Sequence, residues 1–242
     1  MPDRADPRIA IVVPAYQAAT TVGAVVARIL VTVPGACVVV VDDGSTDGTG
    51  SAASAAGATV VRHDTNRGKG AALRTGVMAA TRHPGGGGGE ASVIVTVDAD
   101  GQHPPEEIPR LVAPIMDGRA DLVLGARERT GVMPRGRRLT NRLSAALASR
   151  IGGRPIPDAQ TGFRAFTAEV AAVVRPPQCR YDYEAAFLLE ALAHGMRVTS
   201  VAIPTVYDGA PSHFRALADT WRLALVFARY GRTILFGARW RS

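Results

Sequence analysis

Short apolar runs alternate with helical segments over the first half of the chain, and each run stops at a polar residue, a proline or a glycine. The runs are rich in β-branched residues, which is typical of buried parallel strands. They cover residues 9–13, 37–41, 59–61 and 121–124, and a further run begins at Val93. Helices are expected between them, over 22–30, 51–56 and 71–80 and from Pro105 onward. The pattern predicts an α/β fold with a doubly wound, mostly parallel central sheet flanked by helices.

The second half of the chain is less regular. Its pattern predicts a basic helix over 135–151, an irregular segment over 155–166, a helix over 182–194, a strand over 197–206 and a long helix over 214–240. We therefore expect one globular domain over residues 1–213. The C-terminal helix, 214–242, then either belongs to the same domain or forms a membrane-surface element.

The predicted C-terminal helix is basic and amphipathic. One side of its helical wheel carries Arg215, Arg222, Arg229, Arg232 and Arg239. The other side carries Leu223, Phe227, Tyr230 and Ile234. Such a helix suits anionic lipid headgroups or a partner protein. The alternative is a terminal helix that packs on its own core with its arginines in water.

Charge and cysteine content limit the expected binding partners and cellular compartment. The 242 residues carry a formal net charge of +7 and a pI near 10.2, which favours anionic partners: nucleic acid, a membrane surface or phosphorylated substrates. Cys37 and Cys179 do not suggest a disulfide framework, so a reducing cytoplasm is expected. We find no secretory signal and no stretch of roughly 18 apolar residues that would span a membrane.

The strand that begins at Val93 ends in two carboxylates, Asp98 and Asp100. Side chains two apart on a strand point the same way, so these carboxylates can converge on one ligand. Gln102 follows closely, and Mg²⁺ or Mn²⁺ favours such hard oxygen ligands together with water and phosphate oxygens. The stretch 93–108 therefore predicts a site for a divalent metal and a phosphorylated substrate. The alternative is a loop whose carboxylates cap the next helix.

Two further polar loops follow predicted strands. In the loop after 37–41, one of the carboxylates of Asp42 and Asp43 could accept hydrogen bonds from a base or ribose, or the loop could be an ordinary strand-to-helix turn. In the loop 66–70, Lys69 stands at a helix start, where it could meet a nucleotide or its phosphates. The alternative there is a solvated turn lysine.

Six motifs in order carry a family resemblance: PAYQ at 14–17, DDGSTD at 42–47, NRGKGAA at 66–72, DADGQHPPEE at 98–107, GAR at 125–127 and DAQTGFRAF at 158–166. Together they resemble the family 2 glycosyltransferases with a GT-A fold, and most closely the dolichyl- or polyprenyl-phosphate mannose synthases. The family often has asparagine and then glutamate after the tyrosine, whereas Gln17 and Ala18 stand here.

The resemblance implies a set of site residues. The nucleotide sugar would be held by Pro14, Ala15, Tyr16, Asp43, Lys69, Asp98, Ala99, Asp100 and Arg127. The metal ligands would be Asp98, Asp100 and Gln102. On the acceptor side, Asp158 is the candidate catalytic residue, as a weak base or by orienting the acceptor, and the phosphate contacts would be Arg138, Ser212, His213 and Arg215.

These features predict a metal-dependent, inverting glycosyltransferase that moves a hexose from GDP-mannose or a UDP-sugar to a polyprenyl or dolichyl phosphate. It would be peripheral at the cytoplasmic membrane face and would not bind nucleic acid; a homo-oligomer or a membrane-protein partner stays open. One alternative is a transferase that acts on a saccharide or small-molecule acceptor. From another class, a non-catalytic membrane-surface binding protein could use the basic tail alone.

Overall fold

The computed structural model describes residues 8–82, 91–127, 135–177, 180, 182–204 and 225–230. These residues form seven strands, β1 (Ile9–Ala15), β2 (Cys37–Asp42), β3 (Thr59–Arg62), β4 (Val93–Thr96), β5 (Leu122–Arg127), β6 (Arg164–Thr167) and β7 (Val198–Ile203). The helices are α1 (Val22–Thr32), α2 (Thr49–Ala55), α3 (Lys69–Arg82), α4 (Ile108–Met116), α5 (Arg135–Gly152), α6 (Ala168–Val173) and α7 (Tyr183–Ala193). A 3-10 turn, Pro105–Glu107, leads into α4.

The strands form one mixed sheet in the order β3-β2-β1-β4-β6-β5-β7. Strand β6 runs antiparallel to both of its neighbours, β4 and β5, and the other pairs are parallel. The predicted mostly parallel α/β sheet is confirmed. The prediction of an irregular segment over 155–166 is wrong at its end, because β6 begins at Arg164 and α6 follows. A four-residue strand with a charged first residue gives no clear alternation of apolar and polar positions.

Alternate side chains of each strand enter the two layers of helices. Val12 and Ile94 pack in one apolar cluster with α3 and α7. Ile11 and Val95 pack in the other with α1 and α4. Because both faces of the central strands are buried, their sequences read as continuous apolar runs.

Helix α3 approaches the sheet very closely at Gly76. A Cβ atom built at Gly76 would lie 2.3 Å from Cγ1 of Val12 and 3.1 Å from Cγ2 of Val41. Only a residue without a side chain fits at this contact. The contact fixes the distance of α3 from β1, and with it the position of the first residue of the helix, Lys69, at the edge of the sheet.

The described part of the C-terminal segment, 225–230, is helical and packs on the domain core. Val226, Phe227 and Tyr230 are buried, and the Tyr230 hydroxyl lies 3.0 Å from Oε2 of Glu190 in α7. Over these six positions the apolar side of the helix faces protein. The predicted helix over 214–242 otherwise lies outside the described residues and stays a prediction. No helix among the residues that the structure describes is both long and apolar enough to cross a membrane.

We expect Gly76→Ala to lower the free energy of unfolding by about 1 to 3 kcal/mol, because the added methyl group overpacks the contact with Val12. Gly23 in α1 is the matched control, since the nearest atom to its Cβ would be the Ala52 carbonyl oxygen at an ordinary 3.6 Å. Gly23→Ala should be neutral, or stabilising by up to about 1 kcal/mol. Urea denaturation of both variants measures the difference, and equal stabilities would contradict the close approach.

Candidate active site

The polar residues at the ends of four strands lie at the same edge of the sheet. Strands β1, β2, β4 and β5 point in one direction, so the residues at or beyond their carboxyl ends, Tyr16, Asp43, Asp98 and Arg127, collect there. Strand β6 points the other way, so the loop before it, which contains Asp158, reaches this edge as well. Ligands of open α/β sheets bind at this edge.

Lys69 lies between two carboxylates. Its Nζ is 2.7 Å from Oδ1 of Asp98 and 2.9 Å from Oε1 of Glu184, the second residue of α7. Lys69 is the only lysine in the chain. A compact ammonium fits between two carboxylates, whereas the planar fork of arginine is larger. The predicted nucleotide contact of Lys69 stays a prediction, and in the described structure its charge is shared by Asp98 and Glu184.

Glu184 is a site residue that the sequence reasoning missed. Its side chain is 4% exposed, and its second oxygen, Oε2, has no hydrogen-bond partner among the described residues. Arg164 lies beneath it and donates to the backbone oxygens of Ala159, Thr161 and Glu184. The sequence does carry a signal for this residue, because Glu184 stands between Tyr183 and the apolar run Ala185–Leu189. A lone charge on a helix face that is otherwise buried needs a partner of opposite charge.

These charges shift one another's pKa values. Burial is the largest single influence on the pKa of Asp98 and would raise it, but the charge and hydrogen bond of Lys69, together with His103 and Arg127, lower that pKa. Burial would lower the pKa of Lys69, and its two carboxylate partners raise it instead. The pKa of Asp100 is raised, first by burial and then by the charge of Asp98. Asp98 and Asp100 therefore repel each other, and a bound cation would relieve that repulsion.

His103 is buried against Phe163, and the two rings stack with their centres 5.4 Å apart. Burial lowers the pKa of His103 to about 4, so the imidazole is neutral at pH 7. The stack joins the loop that carries Asp100 and Gln102 to the loop before β6. A second contact joins the same parts of the chain, because the Thr96 hydroxyl donates to the Gly162 carbonyl oxygen over 2.6 Å.

The donor chemistry at the end of β4 fits a divalent cation. Among the described residues, no group of three or more His, Cys, Asp and Glu side chains is arranged to hold a metal ion. The predicted set of Asp98, Asp100 and the Gln102 amide includes only two carboxylates and leaves the rest of a coordination shell to water and phosphate, as Mg²⁺ commonly requires. Gly101 turns the backbone between Asp100 and Gln102 with φ 74°. The backbone N–H of Gln102 donates to Oδ1 of Asp100.

Gly162 makes room for the Asp98 carboxylate. A Cβ atom at Gly162 would lie 2.6 Å and 2.7 Å from the two carboxylate oxygens. No side chain fits between these groups, so the loop before β6 closes directly over the end of β4. The predicted metal loop and the predicted acceptor loop are therefore neighbours in space.

Arg127 and Asp158 form a bidentate ion pair. Nε of Arg127 lies 2.7 Å from Oδ2 of Asp158, and Nη2 lies 3.2 Å from Oδ1. The Gln160 amide N–H also donates to Oδ1. Both side chains are about nine-tenths buried. A carboxylate that already accepts these bonds is suited to orienting the arginine more than to abstracting a proton.

The predicted nucleoside residues lie beside one another at the ends of β1 and β2. Pro14 and Ala15 are the last residues of β1, and the Ala15 carbonyl oxygen accepts the Asp43 amide N–H over 2.8 Å. Tyr16 follows and is 44% exposed. Gln17 has a left-handed φ of 51°. Its side-chain amide donates to the Thr46 hydroxyl and accepts the backbone N–H of Thr46. Ala99 is buried beside Asp98.

Several predicted residues lie outside the described part of the structure. These are Cys179, Ser212, His213, Arg215 and the side chain of Arg138 in α5. Their predicted roles stay predictions.

The amino-acid sequence matches the model of one protein family, glycosyl transferase family 2, over residues 10–174. That match covers more than half of the chain. The chain therefore belongs to glycosyl transferase family 2, and the predicted enzyme class, a glycosyltransferase, is confirmed at the level of the family.

Individual relatives agree with the predicted resemblance. The chain is 35% identical over 176 residues to an uncharacterized protein of Methanocaldococcus jannaschii, covering 70% of each chain. It is 32% identical over 198 residues to a dolichyl-phosphate hexose transferase of Haloferax volcanii, covering 81% of this chain and 82% of that protein. It spans only 59% and 63% of the length of two other curated relatives.

A solved structure confirms the GT-A fold. The glucosyl-3-phosphoglycerate synthase of Mycobacterium tuberculosis, crystallised with Mn²⁺, uridine diphosphate and phosphoglyceric acid, superposes with a TM-score of 0.73. The superposition covers 93% of this chain and 79% of the other, at 23% identity. At that identity, the likeness establishes the architecture alone.

We expect Lys69→Met to lower the free energy of unfolding by about 2 to 4 kcal/mol at pH 7, because it leaves Asp98 and Glu184 without their shared cation. The expected loss lies below that of a fully enclosed pair because 20% of the Lys69 side chain is exposed. Lys69→Arg keeps the charge and should recover part of the loss. Urea denaturation of the three proteins tests this, and an unchanged midpoint for Lys69→Met would contradict the ion-pair assignment.

Proposed function

We propose that this protein is a metal-dependent, inverting glycosyltransferase that moves a hexose from a nucleotide sugar to a polyprenyl phosphate at the cytoplasmic face of a membrane. The observation that carries the proposal is the convergence of Asp98, Asp100, Lys69 and the Arg127–Asp158 pair at one edge of a GT-A sheet. Family membership supplies the reaction class. The name of the Haloferax volcanii relative, a dolichyl-phosphate hexose transferase, supports the acceptor class.

The donor half of the site would hold the nucleotide between Tyr16 and Asp43 and its diphosphate near Asp100. Asp98, Asp100 and the Gln102 amide would hold Mg²⁺ or Mn²⁺. The chemistry that such a cation supplies is neutralisation of the negative charge on the leaving nucleotide diphosphate. The structural neighbour crystallised with Mn²⁺ and uridine diphosphate supports this choice of metal.

The acceptor half needs no strong base. A polyprenyl phosphate is already an anion at neutral pH, so its oxygen can attack without losing a proton in that step. The bidentate bond from Arg127 leaves Asp158 suited to holding the guanidinium in place, where it would contact phosphate. Asp158 would then position Arg127, and the role of a weak base, which the sequence left open, would not be needed.

Asp100→Asn should weaken the binding of nucleotide diphosphates in Mn²⁺ by at least about 10-fold, because it removes a charged metal ligand. The matched control is Asp117→Asn, at the exposed end of α4, which should bind as the wild type does. Isothermal titration with and without Mn²⁺ measures both. Wild-type affinity in Asp100→Asn, or binding that is indifferent to Mn²⁺, would count against the metal assignment.

Transfer itself is tested with radiolabelled UDP- and GDP-hexoses in Mn²⁺, offered with a polyprenyl phosphate in detergent, with a phosphoglycerate, or with water alone. We expect label in the lipid fraction only when the polyprenyl phosphate is present. Transfer to phosphoglycerate without lipid would favour the small-molecule acceptor. A chain that binds acidic vesicles but no nucleotide sugar would be the non-catalytic membrane-surface protein.

A further inference from the structure

Asp98 and Glu184 share the Lys69 ammonium group but differ in their surroundings. The Asp98 side chain is 21% exposed at the edge of the sheet, where the proposed metal would add a second cation. The Glu184 side chain is buried, and Lys69 is the only side-chain cation with which it forms an ion pair in the described part of the chain. The hydrogen bonds of the neighbouring Arg164 go to backbone oxygens. Glu184 therefore depends on Lys69 more than Asp98 does.

The Asp98 carboxylate has little room to turn. Gly162 packs so closely that a Cβ atom there would lie 2.6 Å and 2.7 Å from the two carboxylate oxygens. Lys69, in contrast, carries its ammonium group on a flexible four-carbon stem with three donors. When a cation competes with Lys69 for the charge of Asp98, we therefore expect the ammonium group to move and the carboxylate to stay.

A divalent cation and an ammonium group beside the same carboxylate repel each other. The charge of Lys69 would therefore oppose metal binding unless a second anion held the ammonium group. Glu184 is such an anion, because its Oε1 already lies 2.9 Å from Nζ of Lys69. Its Oε2 is buried and has no hydrogen-bond partner among the described residues, so the carboxylate has capacity to accept a further N–H. Without Glu184, a lysine that gave up Asp98 would be a buried charge with no partner, which is costly.

We propose that Glu184 is a positioning residue that retains Lys69 when Asp98 shares its charge with a divalent cation. Lys69 gives up its bond to Oδ1 of Asp98 and keeps its bond to Glu184, with no covalent step and no proton transfer. Glu184 then promotes metal binding through Lys69, without touching the metal or the substrate. The inference rests on the proposed function, because it requires a cation at Asp98.

Isothermal titration with Mn²⁺ alone tests the proposal. Glu184→Gln should weaken Mn²⁺ binding by about 10-fold, because Lys69 then has only Asp98 as a charged partner and competes fully with the cation. Glu190→Gln is the matched control, since it makes the same change in the same helix, where Glu190 accepts from the Arg175 amide N–H and the Tyr230 hydroxyl. It should bind Mn²⁺ within about 2-fold of the wild type.

A double-mutant cycle shows whether Glu184 acts through Lys69. In the Lys69→Met background, Glu184→Gln should change the Mn²⁺ affinity by less than about 3-fold, because there is no ammonium group left to retain. A loss of equal size in both backgrounds, or wild-type affinity in Glu184→Gln alone, would overturn this inference and leave the proposed metal site standing. A wild-type protein that does not bind Mn²⁺ would overturn both.

A measurement on the wild-type protein decides the question if one of these variants does not fold. The ¹⁵N-labelled side-chain ammonium of Lys69 is followed by nuclear magnetic resonance while Mg²⁺ is added. Its chemical shift should move, because one of its two carboxylate partners is given up, and the signal should stay visible, because Glu184 keeps the group from exchanging with solvent. An unchanged shift at saturating Mg²⁺, or a signal lost to solvent exchange, would overturn the proposal.

Discussion

The site depends on one largely buried cation, the ammonium group of Lys69. Lys69 stands at the start of α3, Asp98 follows β4, and Glu184 lies near the start of α7, so a single ammonium joins three segments that are far apart in sequence. Each carboxylate would be costly to bury alone, and the lysine would be costly to bury without them. Gly162 then packs against the same Asp98 carboxylate. The proposed donor side and the proposed acceptor side of the site are therefore parts of one network of charges and close contacts.

The antiparallel strand β6 brings a further group of residues to the ligand-binding edge of the sheet. In a wholly parallel sheet, only segments that follow strands reach the ligand edge. Because β6 runs in the opposite direction between β4 and β5, the segment that precedes it also arrives there, and with it Asp158, Gly162 and Phe163. Phe163 stacks on His103, so the inserted strand also steadies the loop after β4. A change of direction in one short strand thus brings a set of residues to the site that the parallel strands do not supply.

Most of the fold could be predicted from the sequence, and so could the gathering of polar strand ends at one edge of the sheet. Short apolar, β-branched runs located the central strands, and the rule that ligands bind at the carboxyl ends of the strands placed Asp43, Asp98 and Arg127 at one edge. The sequence did not reveal β6, because Arg164 is buried by donating to three backbone oxygens, and that solution exists only in the folded chain. It did not reveal Glu184 either, since its partner Lys69 is brought to it by long-range packing.

The lysine count has a consequence for the chemistry of the whole molecule. Lys69 is the chain's only side-chain amine, and both of its carboxylate partners hold it protonated, which removes the lone pair that acylating reagents attack. In the folded protein, Lys69 becomes nucleophilic only when its ion pairs open. The rate at which Lys69 is acylated therefore reports how often the ion pairs at the centre of the site open, and no other lysine side chain contributes to the signal.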